Sequence, residues 1–195
     1  GDPDGDPMLC GLPIIDLKAG DEAFTQVLLA LLDEKDKSGG MEIFISMGQA
    51  LTSWLITALP ELTLNPGDPE KVMRSGNEHR SFIPCNCYPT KDGFVYLAIG
   101  SDAQWEKLTH IEGFEHTANP NRKTNDERKK DKDNIYEDIR QGTKLYSTDE
   151  IMKIFIENNL AAAPVNTIQD VAKQDFVKNN MLKTEMPSGR EASLF

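Results

Sequence analysis

The sequence predicts an α/β protein in two parts. Three observations carry that expectation. The first 58 residues place an amphipathic helix beside a short apolar strand, the stretch from Pro60 to Arg80 breaks all periodicity with prolines and glycines, and an Asp-Gly turn then joins two apolar runs.

Taken in order, Ala23, Phe24, Val27, Leu28, Leu31 and Leu32 recur at three- and four-residue spacing, which predicts a helix running from Asp21 into the charged tail Asp33 to Lys37. Ser38-Gly39-Gly40 should stop it, because glycine takes the left-handed conformation that ends helices at little cost. Met41 to Ser46 reads as a short buried strand, and Met47 to Leu59, with Trp54, as a second apolar helix. Beyond the interruption, Cys85 to Pro89 and Phe94 to Ile99 flank Thr90-Lys91-Asp92-Gly93, a short-range hairpin signal. Ser101 or Asp102 should cap a helix holding Trp105 and Leu108, and Ser147 and Glu150 stand at capping-box spacing ahead of a helix to about Asn158. Residues 115–134, crowded with Asn, Lys, Asp and Arg, read as a solvated loop or helix face with no binding role. Ala161 to Val165 reads as a small-residue bend, and Thr167 or Asp170 as the start of a last short helix.

Composition narrows the partners. With 32 acidic against 21 basic residues the net charge is −11, which repels phosphate backbones and anionic lipid, so no nucleic-acid partner is expected. No apolar stretch approaches the ~20 residues that span a bilayer, so no membrane partner is expected either. Three cysteines and the lack of any Asn-x-Ser/Thr acceptor fit a reducing cytoplasm. The opening Gly1-Asp2-Pro3 suggests the inside of a longer polypeptide, or a tagged or truncated one.

Asp16, in GLPIIDLKAG, is the residue with most chemical potential, and the spacing allows two roles. A carboxylate in a first helical turn can cap backbone amides and is favoured by the helix dipole. A partly enclosed carboxylate beside a helix N-terminus and glycines, here Gly11 and Gly20, also suits a covalent nucleophile, since nearby amides can stabilise an oxyanion. His79, Cys85 and Cys87 would supply three soft metal ligands with no fourth, so no metal site is expected. His110 and His116 read as structural or solvated, and no Ser-His-Asp or Cys-His arrangement is legible.

In chain order these segments resemble the family III CoA-transferases, the CaiB/BaiF group. GLPIIDLKAG and the stripe through LLALLDEKDKSGG are similar to that family's catalytic-aspartate turn, helix and following T-G-x-G-Q segment. SGNEHRSFIPCNCYPTKDGFVYLAIGSDAQW is similar to its G-N-x-H-P-x-x-x-P-Y…D-G…W pattern, and LAAAPVNTIQDV to its A-x-P-x-x-P-V-x-T-x-x-E-V bend. The chain departs from the pattern at Phe44, where Asp is usual, at Arg80, which replaces a proline, and at Cys85, which replaces a tyrosine.

The resemblance implies a partial Rossmann-like large domain plus a small α+β domain: residues 1–58 as a segment of the large α/β domain with the catalytic-aspartate turn, 59–76 as linker, 77–170 as the small domain, and 171–195 as a return toward the large domain. The strand and helices of 1–58 would then need absent strands to cover their apolar faces. The resemblance further implies CoA transfer from an acyl-CoA to a small carboxylic acid through aspartyl mixed-anhydride and aspartyl-CoA intermediates. Asp16 would be the nucleophile, and Gly76, Asn77 and His79 would be substrate-binding residues. The substrate is coenzyme A in its acylated form, with no metal. Interlocked homodimers, or association with an N-terminal half, are the expected assemblies. Two alternatives stay open: a 2-methylacyl-CoA racemase, in which a His from an N-terminal part would pair with Asp16, and a non-catalytic subunit or remnant that keeps Asp16 only as a helix cap.

Overall fold

The computed structural model describes residues 1–33, 39–64, 66–67 and 72–194. These form two compact units, Gly1–Gly76 and Asn77–Phe195.

In the first unit the long helix α1 spans Ile14–Leu32 and packs on α2, Met47–Thr52. A 3₁₀ turn, Ser53–Thr57, leads into α3, Leu59–Leu64, so helix extends into the stretch expected as linker. Ser46 caps α2 by accepting from the Gln49 amide. The start of the unit is tied to its end: Arg74 donates to the carbonyls of Gly5 and Pro3, and the Gly76 amide to Gly1, with Gly76 at φ +60°. Met41–Ser46, expected as a strand, pairs with no other segment among the described residues. A strand is defined by the ladder of a neighbour, and the described part of this unit offers none. α1 ends at Leu32, where Asp33 turns extended ahead of the expected charged tail and Ser38-Gly39-Gly40 stop, and Glu34 to Ser38 lie outside the described residues.

The second unit is built on a three-stranded antiparallel sheet ordered β1 (Cys85–Pro89), β2 (Phe94–Ala98), β3 (Ala161–Pro164). Alternation along β2 sends Val95 and Leu97 inward, and Ile99 just past its end is also buried. These residues and Tyr88 meet Trp105 and Leu108 of α4 (Asp102–Leu108), Ile135 and Ile139 of α6 (Lys132–Thr143), and Ile151 and Phe155 of α7 (Thr148–Glu157). The Thr90–Gly93 turn is clipped to the start of α7, where Asp92 accepts from the Thr148 amide at 2.8 Å and its hydroxyl at 2.9 Å. The expected caps are present: Ser101 on α4, the Ser147–Glu150 box on α7, and a Thr167–Asp170 box on α8 (Ile168–Lys173).

Three local expectations need correction. Ala161–Pro164 is an edge strand rather than a bend, because hydrogen bonding to β2 outweighs the weak strand preference of alanine. Residues 115–134 are not merely solvated. Arg122 and Arg128, flanking and inside α5 (Asn125–Lys130), are buried at 6% and 1% exposure. A buried guanidinium is tolerable when its N–H groups are engaged. Arg128 donates to the Ile83, Lys123 and Arg122 carbonyls and to Asp102, and lies 5.4 Å from the Trp105 ring centre. Arg122 donates to Asp131, Asp138 and the Thr117 carbonyl. Finally, the short helix expected to be the last, α8, is followed by α9 (Asp175–Lys178) and by a hairpin of β4 (Leu182–Glu185) and β5 (Glu191–Leu194), turned at Gly189 with φ +75°.

Candidate active site

Asp16 stands at the third helical position of α1. Pro13 takes the cap position and has no side-chain acceptor, and its carbonyl receives the Leu17 amide at 3.0 Å. The Asp16 carboxylate is exposed and makes no hydrogen bond or ion pair with any described residue. The side-chain capping bond that spacing alone allowed is therefore not made. What remains is the dipole: the positive end of a 19-residue helix favours a negative charge in its first turn. The same end directs backbone amides outward, where an anionic oxygen can meet them.

Access to this carboxylate is set by Gly20. It lies four residues on, hence on the same face, and helical side chains lean toward the N-terminus, so any side chain at 20 would lie over Asp16. Apart from the local backbone, no atom of a described residue comes within 4 Å of a Cβ placed at Gly20, nor at Gly11. Neither glycine is required by packing against the described residues, and at position 20 the consequence of glycine is an uncovered carboxylate.

The next turn of α1 is polar on its packed side. Lys18 Nζ donates to Glu22 at 3.0 Å and sits 5.9 Å from the centre of the Trp54 ring, while Gln26 donates to Glu22 at 3.1 Å. The Lys18 hydrogen bond is the main reason that the Glu22 carboxyl titrates below the ordinary range. A cavity of about 260 Å³ lies beside this stripe, lined by Glu22, Gln26, Phe44, Ser46, Gln49 and Ser53 among others. Lys18 is thus committed to Glu22 and is not paired with Asp16.

Gly76 belongs to the first unit with Asp16, and Asn77 and His79 to the second. His79 is exposed, and its Nδ1 accepts from the amides of Ser81 and Phe82 at 3.0 and 3.2 Å. That leaves the ring proton on Nε2, which points the donor away from the backbone. The His79 ring also lies 5.0 Å from that of Phe82, and its amide donates to the Cys85 carbonyl, so the side chain is held by a local backbone loop.

The other candidate groups have structural partners. His110 Nδ1 and His116 Nε2 bond to the carbonyls of Glu106 and Asp138. Cys85 is buried, Cys87 half-buried and Cys10 exposed, all as free thiols, and burial pushes the Cys85 and Cys87 thiols up. Among the described residues no group of three or more His, Cys, Asp or Glu is placed to hold a metal ion. No helix among them is long and apolar enough to cross a membrane. Spacing did not single out Gly20 as the residue that opens the face over Asp16, although its i+4 offset was available in the sequence.

Comparison with known proteins gives a consistent result. The model of CoA-transferase family III matches residues 1–193. The chain is 26% identical over 187 residues to the succinate–glutarate CoA-transferase of Agrobacterium fabrum, covering 95% of this chain and 46% of that protein. It is 26% identical over 188 residues to the human succinyl-CoA:glutarate CoA-transferase, covering 95% and 42%. In fold it is similar to a CaiB/BaiF family protein from Brucella suis, with a TM-score of 0.80 at 23% identity over 98% of this chain and 50% of the other. A second solved structure, Rv3272 from M. tuberculosis, gives a TM-score of 0.77 at 16% identity over 100% and 52%. The chain thus spans about half the length of the proteins it matches.

Proposed function

The chain belongs to CoA-transferase family III, and on that premise we propose that it carries the nucleophile of a CoA transfer, Asp16. The observation that carries this reading is the state of that carboxylate: exposed, without a hydrogen-bond partner among the described residues, in the first turn of α1 and left uncovered by Gly20.

The chemistry follows from a carboxylate in that position. An Asp16 oxygen attacks the thioester carbonyl of an acyl-CoA, the C–S bond breaks, and a mixed anhydride forms as CoA thiolate leaves. The thiolate then attacks the Asp16 carbonyl of the anhydride, which expels the donor as its free carboxylate and leaves an aspartyl-CoA thioester. The acceptor carboxylate repeats the two steps in the other direction: it displaces thiolate to form a second anhydride. The thiolate then attacks the acceptor's carbonyl, giving the new acyl-CoA and free Asp16. No proton is gained or lost, and each step exchanges one activated acyl bond for another, so the protein's task is positioning and exclusion of water.

Gly76, Asn77 and His79 are assigned to substrate binding, with His79 Nε2–H as a donor toward a carboxylate or thioester oxygen. The names of the relatives support short dicarboxylic acids as the acid pair, with succinyl-CoA as donor and glutarate as acceptor. Free thiols in a chain with no disulfide fit a cytoplasmic setting. The test is to incubate the protein with succinyl-CoA and glutarate and follow glutaryl-CoA by mass spectrometry, with Asp16→Asn against the exposed control Asp21→Asn. Turnover should persist in the control and fall by roughly a thousandfold or more in Asp16→Asn. Retained turnover in Asp16→Asn would exclude Asp16 as the nucleophile.

A further inference from the structure

The loop that carries His79 is held from outside by one helical segment. Asn125, at the start of α5, meets it with both ends of its side-chain amide: Oδ1 accepts from the Ile83 amide at 3.0 Å, and Nδ2 donates to the Ser81 carbonyl at 2.8 Å. The partners fix that orientation, since an N–H needs an acceptor and a carbonyl a donor. One turn on, Arg128 Nε donates to the Ile83 carbonyl at 2.6 Å, and Lys132, which opens α6, pairs with Glu78 at 3.1 Å. Residues 125, 128 and 132 thus grip the loop at Glu78, Ser81 and Ile83. They lie in or beside a stretch whose composition reads as solvated.

The contact with Ser81 reaches His79 through a single peptide group. In a trans peptide, as between Ser81 and Phe82, the C=O and N–H point in opposite directions. A Ser81 carbonyl held on Asn125 therefore turns the Phe82 N–H the other way, and that N–H donates to His79 Nδ1 at 3.2 Å. With the Ser81 amide also donating at 3.0 Å, Nδ1 is kept as an acceptor and the ring proton stays on Nε2. We propose that Asn125 is a positioning residue: through the Ser81–Phe82 peptide it sets the tautomer and orientation of the His79 ring, and so presents Nε2–H rather than a bare nitrogen at the exposed side of the loop. The consequence for substrate rests on the assignment of His79 to substrate binding; the positioning itself does not.

Asn125→Asp tests it, because the carboxylate keeps the size of the side chain and an acceptor for the Ile83 amide but has no donor for the Ser81 carbonyl. The readout is the pair of His79 ring-nitrogen shifts in proton–nitrogen correlation NMR spectra, which distinguish a protonated ring nitrogen from a bare one. The unsubstituted protein should show Nδ1 bare and Nε2 protonated, and Asn125→Asp should move both shifts toward the average of exchanging tautomers. Asn125→Leu, which lacks both contacts, should do the same. Thr124→Ala removes the cap of the same helix and leaves the Asn125 amide, so it should lower stability while the His79 shifts stay in place. A proton on Nδ1 in the unsubstituted protein, His79 shifts unchanged in both Asn125 variants, or an equal change in Thr124→Ala would each overturn the proposal. In the succinyl-CoA and glutarate assay, Asn125→Asp should raise KM by roughly fivefold with kcat nearly unchanged, the value of about one neutral hydrogen bond. Shifted ring nitrogens with an unchanged KM would leave the positioning standing and overturn the role of His79 in binding substrate, so the two fail separately.

Discussion

Gly20→Ala separates the two reasons a glycine could occupy that position. Position 20 lies inside α1, its φ is not positive, and no atom stands within 4 Å of the added Cβ. The substitution therefore meets no steric penalty and removes the backbone entropy cost of glycine, which stabilises a helix by about 0.8–1 kcal/mol, roughly a fivefold shift in the local opening equilibrium. Native-state hydrogen exchange of the α1 amides reads that shift directly, as slower exchange around position 20. Gly20→Leu adds a side chain that leans one turn toward the N-terminus, over Asp16. It should keep the slower exchange and lose CoA transfer. Faster exchange in the alanine variant would show that position 20 is not an open helix interior. Unchanged transfer in the leucine variant, with the helix intact, would refute the claim that glycine is there to leave Asp16 uncovered.

Other consequences follow from the second unit. Arg128→Ala orphans the carbonyls of Ile83 and Arg122 and opens a cavity beside Trp105, so denaturant unfolding should report a loss of about 3–5 kcal/mol. Asp102→Asn, whose side chain is 56% exposed, should cost no more than about 1 kcal/mol; equal losses from the two variants would contradict this account of the buried arginine. Gly142→Ala forces a Cβ to 2.7 Å from the Phe114 ring and 2.9 Å from the Gly113 carbonyl, and should destabilise by about 1–3 kcal/mol in the same assay. Asp92, Glu127 and Glu150 each have carboxyls held below the ordinary range, chiefly by backbone amides at a turn or helix start. A lowered folded pKa adds stability that is complete above the unfolded values, 3.8 for Asp and 4.5 for Glu, and is lost as pH falls through the folded ones. The urea midpoint should therefore stay level down to about pH 5 and drop below it, and a midpoint that stays level into strong acid would refute the linkage.

What could be read in advance follows from how local each signal is. The Asp92-Gly93 hairpin and the caps at Ser101, Ser147 and Thr167 depend on residues within four positions of one another, and all are present. Met41–Ser46 has the composition of a strand, but strand formation depends on a partner that spacing within the segment cannot supply. The reverse error occurs at Ala161–Pro164, where a partner strand imposes pairing on residues with little preference for it. Arg122 and Arg128 were hidden by composition, because charge density says nothing about whether carbonyls and carboxylates wait to receive each N–H. The terminal hairpin did carry a local sign, Pro187-Ser188-Gly189, but β4 is exposed along its whole length and shows no alternation to flank it. At the candidate site, Asp16 was legible from its motif and its place near a helix start. The apolar stripe from Ala23 to Leu32 was legible as a stripe, whereas its outward direction was not, because direction depends on what the helix packs against.

If CoA transfer runs through Asp16, its carboxylate becomes covalently acylated during turnover. The most direct measurement is to mix the protein with succinyl-CoA, quench with hydroxylamine, and map the peptide that spans Gly11–Gly20. Anhydride or thioester at Asp16 reacts to a hydroxamate, whereas a free carboxylate does not. Hydroxamate is expected at Asp16, dependent on succinyl-CoA and absent from Asp16→Asn. Turnover of succinyl-CoA with Asp16 unmodified, or with the hydroxamate on another residue, would contradict it.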